Sequence, residues 1–203
     1  MPFCNRVRPD GAVAADPTRG LFMGNRGRLH DADGTIRRQW QTKRWICCVT
    51  AFRDRRVPIM GARRYTALFF LDEATALAAG HRPCAECRRQ DFNRFIDAWR
   101  AAHRTPPGRL YVDALDRVLH AERTASAKPA PPVSLPDGAM LADRDGTAWL
   151  RWKGRNLRWT PLGYDGSAGQ PVPPLVLLTP PATVATLVSG YRPVIHPSAT
   201  DVS

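Results

Sequence analysis

Long apolar runs are missing from this sequence: no stretch approaches the roughly 18 residues needed to cross a bilayer, which excludes a membrane-spanning protein as a leading idea. The opening residues, Met1-Pro-Phe-Cys-Asn-Arg6, lack the apolar stretch of a signal peptide, so Sec export is not expected. Cysteine is scarce and odd in number, five in 203 residues, with two adjacent and two in a Cys-x-x-Cys. That pattern does not build a disulfide scaffold. In a cytoplasmic chain, the location expected here, thiols stay reduced, and a metal site or a reactive thiol is the better expectation. Lysine is rarer still: Lys43, Lys128 and Lys153 are three of 30 basic residues. Acidic residues number only 18, which leaves a net charge of +12. Hydrophobic residues make up 43% of the chain, enough for a core, so wholesale disorder is not expected.

A basic surplus of this size favours polyanions, because each arginine placed on a phosphate releases condensed counterions and adds affinity that does not depend on sequence. DNA is the expected partner, with RNA left open. Arginine suits bidentate phosphate contacts, although an Ala/Arg/Pro-rich composition also follows from a GC-rich genome. Net charge gives a partner class and no chemistry.

The periodicity predicts an α+β protein. Residues 1 to 71 read as β-rich: Asp31-Ala-Asp-Gly34 marks a turn between extended stretches, Arg44 to Phe52 is strand-like, and Ala67 to Leu71 is a short buried strand. Asp72 then stands as N-cap of a helix over Glu73 to Ala79, with Gly80 ending it. A second helix is predicted from near Cys84 to about His103, with Phe92, Phe95, Ile96 and Trp99 on one stripe. Thr105-Pro-Pro-Gly108 stops it, and Leu110, Leu115, Val118 and Leu119 suggest a third helix ending near Thr124. The organisation expected is an α+β region over 1–124, a proline-rich linker over 125–136, and a C-terminal β-meander with a short helix over 137–203, packing on the first region. Trp149, Trp152 and Trp159 in the meander read as packing residues before they read as base-stacking ones. Leu77-Ala-Ala-Gly-His-Arg-Pro83 is echoed by Leu187-Val-Ser-Gly-Tyr-Arg-Pro193, either a reused helix-ending turn or a coincidence.

Cys84-Ala-Glu-Cys87 is the most specific chemical feature. Two intervening residues let both sulfurs face one ion, and nearby N–H groups and arginines favour the thiolate that binds zinc. A redox dithiol of the thioredoxin type needs a strand immediately before the motif, and here a helix and a Gly-x-Arg-Pro turn precede it. The other half of a tetrahedral site must come from elsewhere. Successive strand residues point to opposite faces, so only one of Cys47 and Cys48 is expected to face the metal; Cys48 is taken first, with Cys47 as the alternative. His30 ranks first and Cys4 second for the remaining ligand. His81 is read as a hydrogen-bonding turn residue.

The run Phe69-Phe-Leu-Asp-Glu-Ala-Thr-Ala-Leu-Ala-Ala-Gly-His-Arg-Pro-Cys-Ala-Glu-Cys87 resembles the second half of the metal-binding domain of the Ada family of DNA alkylation-response proteins. The resemblance covers about 19 of the 203 residues, under a tenth of the chain. It implies that Cys84 and Cys87 are zinc thiolates. In that family the first half supplies Cys-x-x-x-Cys, whose leading cysteine accepts a methyl group from a DNA phosphotriester. This sequence has adjacent Cys47 and Cys48 instead, and the segment from Arg53 to Arg64 matches nothing in the family. It also lacks the family's Pro-Cys-His-Arg motif, and no helix-turn-helix follows the zinc module.

The leading expectation is therefore a zinc-stabilised, DNA-associated protein in which Arg82, Arg88, Arg89 and Arg94 contact phosphates. One alternative is a cysteine-dependent methyl acceptor using Cys48 or Cys47. A metal-dependent nuclease, drawn from His30 with Asp31 and Asp33 or from His120 with Glu122, is another. A third is a purely structural zinc module that docks a protein partner.

Overall fold

A computed structural model describes residues 2–53, 59–61, 64–104, 112–167 and 169–200. The architecture is mixed α+β, with two sheets and four α-helices among the described residues. The first sheet has six short strands: β1 (Cys4–Val7), β2 (Val13–Ala15), β3 (Phe22–Asn25), β4 (Ile46–Val49), β5 (Leu68–Phe70) and β6 (Arg82–Pro83). Their order across the sheet is β2-β1-β5-β3-β4-β6. β3 is antiparallel to both β4 and β5, while β1 runs parallel to β5 and β6 parallel to β4. The predicted turn at Asp31 is present: Gly34, at a φ of +85° that favours glycine, closes it, and Thr35 N–H is held by the carboxylates of Asp31 and Asp33.

Helix α1 (Glu73–Ala78) follows β5. Asp72 caps it, accepting from the Thr75 N–H at 2.9 Å, and the chain leaves through Gly80 at φ +79°. All six helix residues are buried. The reason is composition: alanines let three hydrophobic clusters approach one short rod. Ala76 and Ala79 meet the first sheet at Val7, Phe22, Leu68 and Phe70. Ala74 and Ala78 meet the second sheet at Met140, Leu150 and Tyr164. Leu77 enters the helical cluster of Phe95, Trp99, Leu115, Leu119 and Leu187.

The second sheet comprises β7 (Met140–Ala142), β8 (Ala148–Trp152), β9 (Arg155–Thr160), β10 (Gly163–Asp165) and β11 (Val176–Leu177), in the order β10-β9-β8-β7-β11. Its three central strands are the predicted meander. Lys153 and Gly154, both at positive φ, make the tight β8–β9 turn. The tryptophans pack or bond internally: Trp149 donates to Asp143 at 2.9 Å and Trp159 to Thr75 at 3.1 Å, while Trp152 packs against the second-sheet core. The segment between α3 (Val112–Thr124) and β7 has no regular structure, yet it is tied down, since the Pro129 carbonyl accepts from Leu177 N–H at 2.8 Å and Leu135 packs on the helical cluster.

Helix α2 spans Arg89–Ala102, with Phe92, Phe95, Ala98 and Trp99 buried. It begins five residues later than the periodicity implied, because Cys84 to Cys87 form a separate turn in which the Arg88 N–H bonds the Cys84 carbonyl. The predicted stop at Thr105 to Gly108 and the position of Leu110 lie outside the described residues. Helix α4 (Pro181–Val188) completes the helical layer. The sequence echo is structural: His81 N–H bonds Ala76 O and Gly80 N–H bonds Leu77 O, and Tyr191 and Gly190 repeat both bonds on Thr186 and Leu187. The same helix-ending motif is used twice.

Candidate metal centre

β4 and β6 bring the thiols together. Their parallel pairing sets Cys47 beside Pro83, and the Cys84 N–H donates to the Cys47 carbonyl at 2.9 Å. Because strand side chains alternate, Cys47 points into the first-sheet core with no exposed surface, and Cys48 points to the other face. The sulfurs of Cys48, Cys84 and Cys87 all lie within 4.8 Å of one another. Around a tetrahedral zinc, thiolate sulfurs stand roughly 3.8 Å apart, so these three need only a small closure to share one ion. Among the described residues this is the one group of three or more His, Cys, Asp or Glu side chains placed to do so.

The electrostatics suit a cation. S–H groups of Cys48 and Cys87 and the backbone N–H groups of Cys87 and Glu86 converge on the Cys84 sulfur, the Glu86 N–H at 3.4 Å, and they hold the Cys84 thiol down at about 2. The Cys48 proton is committed to Cys84 and Cys87 and its thiol is partly desolvated, so it is driven far up. The hydrogen bonds among the three thiols thus favour a thiolate at Cys84, and a metal ion bound there would displace the protons of the other two. The trio forms one wall of a cavity of about 210 Å³ whose other walls include Met23, Asn25, Phe52 and Tyr65. Three thiolates fit a soft or borderline cation such as zinc.

The remaining sequence candidates are elsewhere. His30 is buried, with Nδ1 2.6 Å from the Thr66 hydroxyl and Nε2 3.3 Å from the Gly61 carbonyl, and it does not join the thiol group. Cys4 sits on β1 and donates to the Val13 carbonyl at 3.5 Å, three strands away from β4. Cys47 receives the Arg88 Nη1–H at 3.4 Å, and full burial pushes its thiol well up. It is a core residue, neither ligand nor accessible nucleophile. The nuclease sets do not assemble: Asp31 and Asp33 serve their turn, His120 packs edge-on against Trp40 at 4.4 Å, and Glu122 accepts the Ala182 N–H.

No family model, curated protein or solved structure matches the chain.

Two of the four arginines expected on phosphates are inside the protein. Arg82 donates from Nε and Nη2 to the two oxygens of Asp116, each at 2.8 Å, with both side chains 3% exposed. Arg88 pairs with Glu73 at 2.9 Å and Asp91 at 2.8 Å and lies over the Phe22 ring. Burial opposes its charge, but Glu73 and Cys47 outweigh that and the guanidinium titrates higher than usual. These two arginines cannot reach a phosphate; they brace the segment that carries Cys84 and Cys87. Arg89 and Arg94 are exposed on α2, Arg94 paired with Asp91. Asp116 was missed in the sequence, though it sits on the buried face of α3 beside Leu115 and Leu119, where an acidic residue signals an internal partner.

Proposed function

We propose that this chain is a zinc-binding, DNA-associated protein built round an Ada-like module, with Cys48, Cys84 and Cys87 as the protein's ligands. The convergence of three thiols on one wall of a small cavity carries this reading. Support for the Ada-like part is that the residues of the resemblance form a strand, a capped helix, a Schellman turn and a cysteine pair, with a third thiol brought in from the neighbouring strand. Support for DNA is the +12 charge, and the exposed Arg89 and Arg94 on the helix that starts just beyond Cys87. A zinc ion here would hold β4 to the start of α2 and keep its sulfurs as thiolates. The alkyl-acceptor reading narrows to a ligand thiolate such as the part-exposed Cys48, because Cys47 is sealed in the core.

Native mass spectrometry before and after exposure to alkylated DNA tests the proposal. One zinc per chain is expected, together with DNA affinity that falls steeply with salt, measured alongside RNA of the same length. A methyl-sized gain on a cysteine would add the acceptor activity. A chain that binds no zinc and no nucleic acid would end the reading.

A further inference from the structure

Three arginines, Arg26, Arg82 and Arg88, are deeply buried around α1 and its flanking turns, a fourth, Arg123, is half-buried, and two of the four lack what the other two have. Arg82 and Arg88 each meet a carboxylate. Arg26, 1% exposed, meets none. Its Nε donates to His81 Nε2 at 3.3 Å and its Nη1 to the Gly11 carbonyl at 3.0 Å, while Nη2 is buried with no hydrogen-bond partner. Arg123 gives its two terminal nitrogens to the carbonyls of Gly80 and Lys43, and its Nε is likewise buried without a partner. Among the described residues neither guanidinium forms an ion pair. Both lie over the Trp45 ring, Arg26 at 4.2 Å and Arg123 at 3.7 Å. Burial draws each guanidinium down to about 9.

Both arginines line a cavity of about 460 Å³, shared with Trp40, Trp45, Lys128 and Asp10. The lining holds three cations and one carboxylate, which is exposed and stands 3.8 Å from Arg8, while Asp116 and Glu122 act on Arg123 and Lys128 from outside the walls. The lining itself carries a surplus of two positive charges, and His81 adds none, because burial and the two arginines hold it neutral. A buried, unpaired guanidinium is costly, and it points to a ligand that supplies the missing charge. A phosphate monoester carries about −1.5 to −2 at neutral pH, which matches the surplus, and its oxygens accept from guanidinium N–H groups. The volume exceeds what one phosphate fills and falls in the range of small-molecule sites. Trp40, 39% exposed, offers an aromatic surface to a planar group attached to the phosphate.

We infer that the Arg26–Arg123 cavity binds a phosphate monoester borne on a planar base, the phosphate taking the open donors of Arg26 and Arg123 and the base packing on Trp40. This chemistry belongs equally to a free nucleotide and to the 5′-phosphorylated end of a nucleic-acid strand. The inference is independent of the metal site, which shares no residue with this cavity.

Tryptophan fluorescence and calorimetric titrations of the purified full-length protein test it, with AMP, inorganic phosphate, adenosine, and one oligonucleotide in 5′-phosphate and 5′-hydroxyl forms. Saturable AMP binding is expected, with phosphate competing and adenosine much weaker. Trp40→Ala, at a half-exposed position, should weaken AMP by about tenfold and leave inorganic phosphate unchanged. Arg26→Gln should abolish both, with circular dichroism and metal content reporting whether it folds. Binding of the phosphorylated oligonucleotide in preference to its hydroxyl form and to AMP would assign the site to strand ends; tighter AMP binding would assign it to free nucleotides. The inference is overturned if the wild-type protein binds none of the phosphorylated probes at millimolar concentration. It is equally overturned if adenosine binds as well as AMP, or if Trp40→Ala leaves AMP binding intact.

Discussion

Removing the carboxylate of Asp116 should be among the most damaging single changes outside the hydrophobic core. Among the described residues, Asp116→Ala leaves the buried Arg82 guanidinium with the Pro83 carbonyl, at 3.1 Å, and the Phe92 ring, 5.4 Å from its carbon, as compensation. Two unit charges about 4 Å apart at an effective dielectric near 20 attract by about 4 kcal/mol, and breaking buried pairs costs about 3–5 kcal/mol. A loss of about 3 kcal/mol is expected after allowing for the two surviving contacts, a large part of the roughly 5–15 kcal/mol that holds a domain together. Urea denaturation at neutral pH reads the change through a shifted midpoint at constant slope. Arg82→Met with Asp116→Leu removes both charges and should recover to within about 1 kcal/mol of the wild type. Since Arg82 lies in β6, paired with Ile46 and two residues from Cys84, the single variant should also weaken metal binding while the double variant restores it. A single variant that costs under about 1 kcal/mol would mean that the pair is in effect solvated. A double variant as unstable as the single one would show that shape, not charge, sets the cost.

The other expectations concern the thiols, acidification and the helix surface. Cys48→Ser and Cys84→Ser should lose bound metal in elemental analysis, whereas Cys47→Ala should keep it, paying only for a small core void. His81 is held neutral by burial and by the charges of Arg26 and Arg123. The unfolded chain protonates this ring near pH 6.5 while the folded chain resists it, so stability falls progressively as pH drops below about 6.5. His81→Gln should flatten that slope, and an unchanged pH profile in denaturant titrations would refute the assignment. Replacing Arg89 and Arg94 together by alanine should lower DNA affinity and reduce the salt slope by about 2 with zinc retained; unaltered binding would move the contact surface off α2.

How much of this was legible in the sequence follows from the range of the interactions involved. The cap at Asp72, the turn glycine at Gly80, the paired Cys84 and Cys87 and the meander all depend on neighbours within a few residues, and all are present. Strand alternation required only one of Cys47 and Cys48 to face the Cys84–Cys87 pair, but which one depends on the side of the sheet occupied by the core, a property of β3, β5 and β6 and not of β4. His30 sat next to a turn, as read, yet its two ring nitrogens are consumed by Thr66 and Gly61, partners set by tertiary packing. Arginine was where sequence reasoning erred most: Arg82 and Arg88 look like surface charge because their carboxylates, Asp116 and Glu73, come from other helices. The Arg26 cavity left no local signature at all, since Gly11, Trp40, Trp45 and Arg123 come to its walls from separate parts of the chain.

Helix α1 gives all of these parts a common thermodynamic fate. Six residues serve three hydrophobic clusters, so no cluster keeps its inner surface if another dissolves. The thiol group lies just beyond the helix, past Gly80, and Ala78 and Ala79 form part of the Arg26 cavity wall. A ligand taken up at either place therefore raises the melting point of the entire molecule. One thermal scan, recorded with each ligand alone and with both, becomes a balance on which two separate sites can be weighed against each other.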